Sequence, residues 1–375
     1  MRYQLDWRNS DLVQNGVIQD FADLHIVRTE NTVGSLKMTL AQKGYNLDSF
    51  RVGQYLEVWR EKGGVLSVFG ETAYFVQDFE FYSQNGEELV DVYAKDLNML
   101  LETRIVAAAS STANAEMKGK ADDLMKAIVR NELGINAHPT RRIPGLTVQA
   151  DVGQSAEIAR GFAYGNVLDV LRDMANSATE KGIYTSFDLV RTGVGKFEFR
   201  TYTGQRGADH RRTSGDVRLV GENYGNLENP RYGIYHGDEW NYVYCGGRGE
   251  KEDREISEVW DLRRIGTGFP YNRKEYFRDS RHQETKDGVD DDAYNALNEG
   301  KPKTIMTGNL IDTPGMMFGR DYQFGDVVSA EAFGQAIDCH ISSVAIRYDA
   351  QGGETLDIKL RGERENVFTT LGDDE

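Results

Sequence analysis

Runs of alternating apolar and polar residues, closed by glycine, recur at both ends of this chain. Leu36, Met38 and Leu40 alternate with polar neighbours, as do Tyr55–Trp59, Phe79–Phe81 and Leu89–Tyr93. Breaks fall at Gly44, Gly53, Gly63-Gly64 and Asn85-Gly86. A period of two places successive side chains on opposite faces of a strand. Asn-Gly between two such runs predicts a hairpin, because both central residues of its turn need positive φ. Forty glycines against six prolines suit many tight turns. The first hundred residues are therefore expected to form a small β-barrel or sandwich.

The period changes after Leu97. Ala121, Leu124, Met125, Ile128 and Val129 fall on one face of a helix over Lys120 to Leu133, closed by Gly134. A second helix is expected over Asn166 to Lys181, with Val167, Leu168, Leu171, Met174, Ala175 and Ala178 as its buried stripe. A hairpin around Gly193 to Gly195 joins Phe187–Leu189 to Phe197–Tyr202. A short acidic helix is placed at Asp290 to Asn298, and β patterning resumes from Thr304 to Leu360. The last residues, 366–375, read as a frayed acidic tail.

The C-terminal part echoes the N-terminal part. Phe50-Arg-Val-Gly-Gln-Tyr compares with Tyr322-Gln-Phe-Gly-Asp-Val. Phe79-Glu-Phe, then Leu89-Val-Asp-Val-Tyr93, compares with Val344-Ala-Ile, then Thr355-Leu-Asp-Ile-Lys359. Each is an aromatic-x-x-Gly entry, a strand and a hairpin. An internal duplication explains the echo, and hairpins of unrelated origin are the alternative.

A formal net charge of −16 opposes tight nucleic-acid or anionic-membrane binding, which needs a basic stripe. Cys245 and Cys339 lie far apart in strand-like runs, so neither a disulfide framework nor metal-ligand spacing is present. They are expected to be two buried thiols. The N-terminus lacks an apolar core of signal-peptide length, and no window reaches a membrane span.

Motifs for catalysis are equally thin. His25, His138, His210, His236, His282 and His340 include no His-Glu-x-x-His, and His340 beside Cys339 points to the opposite strand face. Gly-x-Ser-x-Gly is absent. Gly246-Gly-Arg-Gly-Glu lacks the Lys-Ser/Thr ending of a phosphate loop and reads as a β-turn. Asp287-Gly-Val-Asp290-Asp-Asp292 misses the calcium-loop spacing and reads as an exposed acidic helix start. Sixty acidic residues make chance carboxylate pairs unavoidable, and the 19 tyrosines read as cross-strand packing. No catalytic, cofactor or metal residue is assigned, and no cofactor is expected.

The order of elements resembles the tail-tip hub proteins of long-tailed (siphovirus) phages, which share their core with the N-terminal region of tail-associated lysins. The resemblance is carried by Lys95-Asp96-Leu97 with Arg104, Gly225-Asn226-Leu227, Asn241-Tyr-Val, Gly246-Gly-Arg-Gly249, Arg254, Arg273-Lys-Glu275, Asp279-Ser-Arg281 and Tyr322-Gln-Phe-Gly-Asp-Val. Asp209-His210-Arg-Arg-Thr213 is looser than the usual aspartate-arginine-threonine step. The resemblance implies a mainly β fold with α+β insertions: two related small β-barrels joined by partly helical insertion domains. The implied division is a first barrel over 1–100, a helical insertion over 101–215, a β segment with an acidic insertion over 216–303, and the second barrel's completion over 304–365. It also implies a non-enzymatic virion protein at the tail tip, assembled in the host cytoplasm. As a homotrimer this baseplate hub would close the tube, seat distal tail and tape-measure proteins, and carry adhesin or fibre proteins. Phage DNA would pass its acidic or neutral lumen without specific binding. Many hub relatives continue into lytic domains, for which no room is expected before Glu375. A muralytic or endopeptidase hub is the enzyme alternative, and a contractile-tail or injection-system hub is a third.

Overall fold

The computed structural model describes residues 3–46, 48–62, 64–107, 115–162, 164–237, 239–266, 271–283, 285–349 and 353–362. The expected acidic tail 366–375 and Gly63 of the expected Gly63-Gly64 break lie outside them. Strands from both ends of the chain share one 15-stranded sheet. Its path runs Leu227–Tyr235, Lys303–Leu310, Gly353–Gly362, Gln335–Asp349, Phe21–Thr29, Ser35–Ala41, Glu87–Asp96, Tyr74–Gln84, Tyr55–Lys62, Tyr3–Arg8, Gln14–Ile18. Val327–Ala332 branches from Gln335–Asp349. The fold is mainly β, as expected, but among the described residues no ladder closes into a cylinder. The reason is the choice of edge partners. Phe21–Thr29 spends its second edge on Gln335–Asp349, and Tyr3–Arg8 spends its own on Gln14–Ile18.

The echo in the sequence is an echo in register. Five strands on each side follow the same order: Phe21–Thr29, Ser35–Ala41, Glu87–Asp96, Tyr74–Gln84 and Tyr55–Lys62 against Leu227–Tyr235, Lys303–Leu310, Gly353–Gly362, Gln335–Asp349 and Val327–Ala332. Ile26 faces Leu36, which faces Ala94, which faces Val76. Tyr232 faces Met306, which faces Leu360, which faces Ile341. Both hairpins bulge at the same step, between Val76 and Asp78 and between Ile341 and Ser343. Gly53 and Gly325 both take positive φ, 84° and 92°, and donate their N–H to Val76 and Ile341. Only glycine takes that backbone geometry without strain.

Apolar faces of both sets form one core, from Leu5, Leu24, Ile26, Met38, Val58, Val76 and Val92 to Val328, Cys339, Ile341, Ile346 and Leu360. The Asn85-Gly86 hairpin forms as expected, with both residues at positive φ.

A second core belongs to the helical part. Helices Ala121–Glu132 and Val167–Glu180 pack with the hairpin Thr185–Gly193/Lys196–Thr203. Asn166 caps the second helix by accepting from the Leu168 and Asp169 N–H groups. Val167, Leu171 and Met174 are fully buried against Phe187, Leu189 and Phe199. Leu171→Ala is expected to cost about 2–5 kcal/mol, since it opens a cavity where nothing can collapse freely. Urea unfolding would measure it, and a wild-type midpoint would show the helix to be peripheral.

A third, small core fills the segment between the paired strands Leu227–Tyr235 and Lys303–Leu310. Strands Tyr242–Gly246, Ile256–Trp260 and Glu275–Asp279 carry helix Lys286–Glu299 over Val243, Cys245, Val259, Val289, Ala293 and Leu297. The helix starts four residues earlier than the acidic pattern suggested, because Thr285 caps it through the Gly288 N–H. It docks on the helical part through polar groups. Asp292 meets Arg160 at 3.3 Å, Asn295 donates to Ser177 at 3.1 Å, and Lys181 meets Asp291 at 2.6 Å.

Candidate functional site

The joint between the large sheet and the helical part holds a set of buried charges. The strand Phe21–Thr29 points Leu24, Ile26 and Arg28 to one face, so its inward alternation ends in a guanidinium. Arg28 donates to the Gly70 carbonyl and to Asp188. Arg206 donates to the same Asp188 oxygen. Asn98 completes the cluster: its amide donates to Asp188 and to the Thr32 carbonyl, each at 2.9 Å, and its oxygen accepts the Leu189 N–H. Burial opposes the charge on Asp188, yet Arg28 and Arg206 outweigh it and hold its carboxyl below the usual range.

Asp96 sits one step away, accepting the Asn98 N–H at 3.1 Å. Burial pushes its carboxyl up to about 7, and the Asp188 charge adds to that. A second buried pair stands nearby. Arg60, at the inward end of Tyr55–Lys62, grips Glu354 with two N–H groups and donates to the Phe318 carbonyl at 2.8 Å. Tyr3 donates its hydroxyl to the same Glu354. Burial first, then Glu354, pushes the Tyr3 pKa well up.

Between these groups lies a cavity of about 200 Å³ lined by Arg28, Arg60, Arg206, Phe69, Phe318 and Phe324. Both Arg28 and Arg206 stack over Phe324, at 5.0 and 4.8 Å from its ring centre. Asp188 and Glu354 are spent on guanidinium groups. The arrangement neutralises charge across a joint, tying residues 3–96, 185–206 and 318–354 together.

The residues singled out in the sequence fall elsewhere. Of the resemblance motifs, Asp96 and Phe324 enter this cluster. Asn226 braces a turn, accepting the Gly221 N–H at 2.9 Å and donating to the Leu219 carbonyl at 2.8 Å. Asn241 accepts the Lys274 N–H at 2.9 Å. Arg254 wraps the glycine turn, donating to the Gly246 and Gly247 carbonyls. A Cβ on Gly246 would meet that guanidinium at 2.6 Å, so a larger residue would have to displace it. The Arg281 hydrogen bonds to Asp279 hold its carboxyl down at about 2.

His210 is buried beside Asp326 at 3.3 Å, and His340 stacks on Tyr184 with ring centres 4.8 Å apart. His25 and His138 are exposed. Cys245 is buried in the third core and Cys339 in the first, and burial pushes the Cys245 thiol up. Asp292 departs from the exposed acidic start: it is buried and faces Arg160. Among the described residues no group of three or more His, Cys, Asp or Glu side chains could hold a metal ion. None of their helices is long and apolar enough to cross a membrane.

Sequence reasoning missed Arg28, Arg60, Asp188, Arg206 and Glu354. A signal existed for Arg28 and Arg60, which occupy inward positions of strands with apolar alternation. Nothing local marks Arg206, whose position follows from a loop.

Three solved structures share this fold across nearly their whole length. The 43 kDa tail protein of prophage MuSo2 from Shewanella oneidensis is 12% identical, with 96% of this chain and 97% of that one covered at a TM-score of 0.60. A tail protein from Neisseria meningitidis is 14% identical, with 97% of both chains covered at 0.60. The prophage tail protein gp18 from Listeria monocytogenes is 9% identical, with 99% and 98% covered at 0.56. Comparison with curated proteins gives no match. The fold is thus one shared with phage tail proteins. Residues 5–360 match the model of the siphovirus ReqiPepy6 Gp37-like proteins, and the chain belongs to that family.

Proposed function

We propose that this protein is a structural component of a siphovirus tail, the tail-tip baseplate hub. The observation that carries the reading is the doubled five-strand unit, spread over both ends of a chain whose fold is shared end to end with phage tail proteins. Two similar units per chain let three copies present six similar units to a sixfold tube. In this reading the two five-strand units build the ring, while the helical part within 101–215 and the separately cored segment between Tyr235 and Lys303 decorate it. The ring closes the tube, seats distal tail and tape-measure proteins, and carries adhesins. The joint of buried ion pairs supports a structural role. The excess negative charge supports a lumen through which DNA slides unbound.

Native mass spectrometry of the purified protein is expected to find three copies. A tail-tip reconstruction with six copies in the ring would defeat the reading.

A further inference from the structure

The doubled unit leaves one half of itself unfinished. In the second unit, Gln335–Asp349 uses residues 335–340 to pair with Val327–Ala332 and residues 343–349 to pair with Phe21–Thr29. In the first unit, Tyr74–Gln84 pairs with Tyr55–Lys62 only at Tyr74 and Phe75. Beyond the bulge, Asp78–Gln84 has Glu87–Asp96 on one side and no strand on the other among the described residues. The counterpart of Phe21–Thr29 is Leu227–Tyr235, which ends the sheet with one edge unpaired among the described residues. The chain thus carries both halves of a contact it makes once internally, but cannot join them itself.

We infer that a second copy of this chain completes it: Leu227–Tyr235 of one copy pairs antiparallel with Asp78–Gln84 of the next. This deepens the tail-tip reading, and rests on it only for the number of copies. The register follows from the internal pair. Val344 faces Arg28 and Ile346 faces Ile26. Counting from the shared bulge, Phe79 stands for Val344 and Phe81 for Ile346. Counting along the matched ladders, Tyr232 stands for Ile26 and Ile234 for Arg28. Phe79 therefore faces Ile234, and Phe81 faces Tyr232.

The side chains fit that register. Ile234, on the same strand face as the half-buried Tyr232, is 54% exposed in the single copy. Phe79, Phe81 and Tyr232 are each half-buried against the first core, so their outer edges are available for aromatic and aliphatic cross-strand contact. Pro230 lies at the end of the strand where the ladder already shifts, between Glu228 and Arg231, leaving residues 231–235 regular. The contact uses different surfaces on its two sides, so it is head-to-tail, and repeating it makes a ring or a filament.

Cysteine cross-linking tests the register. Equal amounts of Phe79→Cys and Ile234→Cys, mixed and mildly oxidised, are expected to give a covalent two-chain product. The mixture of Glu80→Cys with Ile234→Cys, one residue out of register, is expected to give at least tenfold less. Ile234→Asp should weaken association at least tenfold without unfolding the chain, because that side chain is exposed in the single copy. Three copies by native mass with no preference for the Phe79 mixture would place the interface elsewhere and overturn the inference, leaving the trimer intact. A single-copy mass with no cross-link would overturn both.

Discussion

Glu354→Ala is expected to destabilise the fold by about 3–5 kcal/mol, among the largest effects of any single substitution here. Glu354 lies on the strand Gly353–Gly362, and its partner Arg60 lies on Tyr55–Lys62, so one ion pair spans both strand units. The two side chains are only 3% and 9% exposed. Removing the carboxylate leaves a guanidinium and the Tyr3 hydroxyl in a site water scarcely reaches. The cost is that of an uncompensated buried charge, not of the pair as such. A discriminating control follows from the same argument. Arg60→Met combined with Glu354→Leu removes both charges and keeps apolar volume, so it should cost much less than Glu354→Ala alone. Urea unfolding of the three proteins checks this through their midpoints at unchanged slope. A Glu354→Ala loss below about 1 kcal/mol would show that water solvates the abandoned guanidinium through the neighbouring cavity.

The strand units were legible because alternation, glycine turns and the Asn85-Gly86 signal are local properties. The helices were legible for the same reason, and Asn166 marked its helix start. The echo between Phe50–Gly53 and Tyr322–Gly325 was in the right register, since Gly53 and Gly325 fill the same backbone role. Its extent was hidden. The first unit turns between Phe21–Thr29 and Ser35–Ala41 within a few residues, whereas the second holds a separately cored segment at the equivalent turn. Closure into barrels is not seen among the described residues, and edge choice is decided by long-range pairing. Nothing near Phe21–Thr29 announces that its free edge meets Gln335–Asp349. The buried charges escaped for a related reason. Asp188 sits in a strand whose residues Thr185 to Val190 are all buried, and burial on both faces is not a pattern of period two.

Asp96 makes the joint sensitive to pH in a direction opposite to that of a paired carboxylate. Its folded pKa is about 7, raised by burial and then by Asp188, against about 3.9 for an unfolded aspartate. A carboxyl raised by folding favours the folded state when protonated. Its contribution is fully present below about pH 4 and is lost as pH rises to about 7, after which the loss is constant. The full span is on the order of 4 kcal/mol, of which about 2–3 kcal/mol falls between pH 5 and pH 8. Asp188 does not mask this. Its carboxyl is lowered by Arg28 and Arg206, so its contribution is lost only as pH falls below the ordinary carboxylate range. The two windows do not overlap. Asp96→Asn is therefore expected to flatten the stability profile between pH 5 and pH 8, whatever it does to the absolute value. Loss of one acceptor for the Asn98 or Gly34 N–H can lower the whole curve, but it cannot restore the slope. Urea unfolding of both proteins at pH 5, 6, 7 and 8 measures the difference, and parallel profiles would show that Asp96 stays ionised across the range. The group responsible lies where the strand Glu87–Asp96 hands the chain to the helical part, so a weaker joint at high pH would loosen that part from the large sheet first.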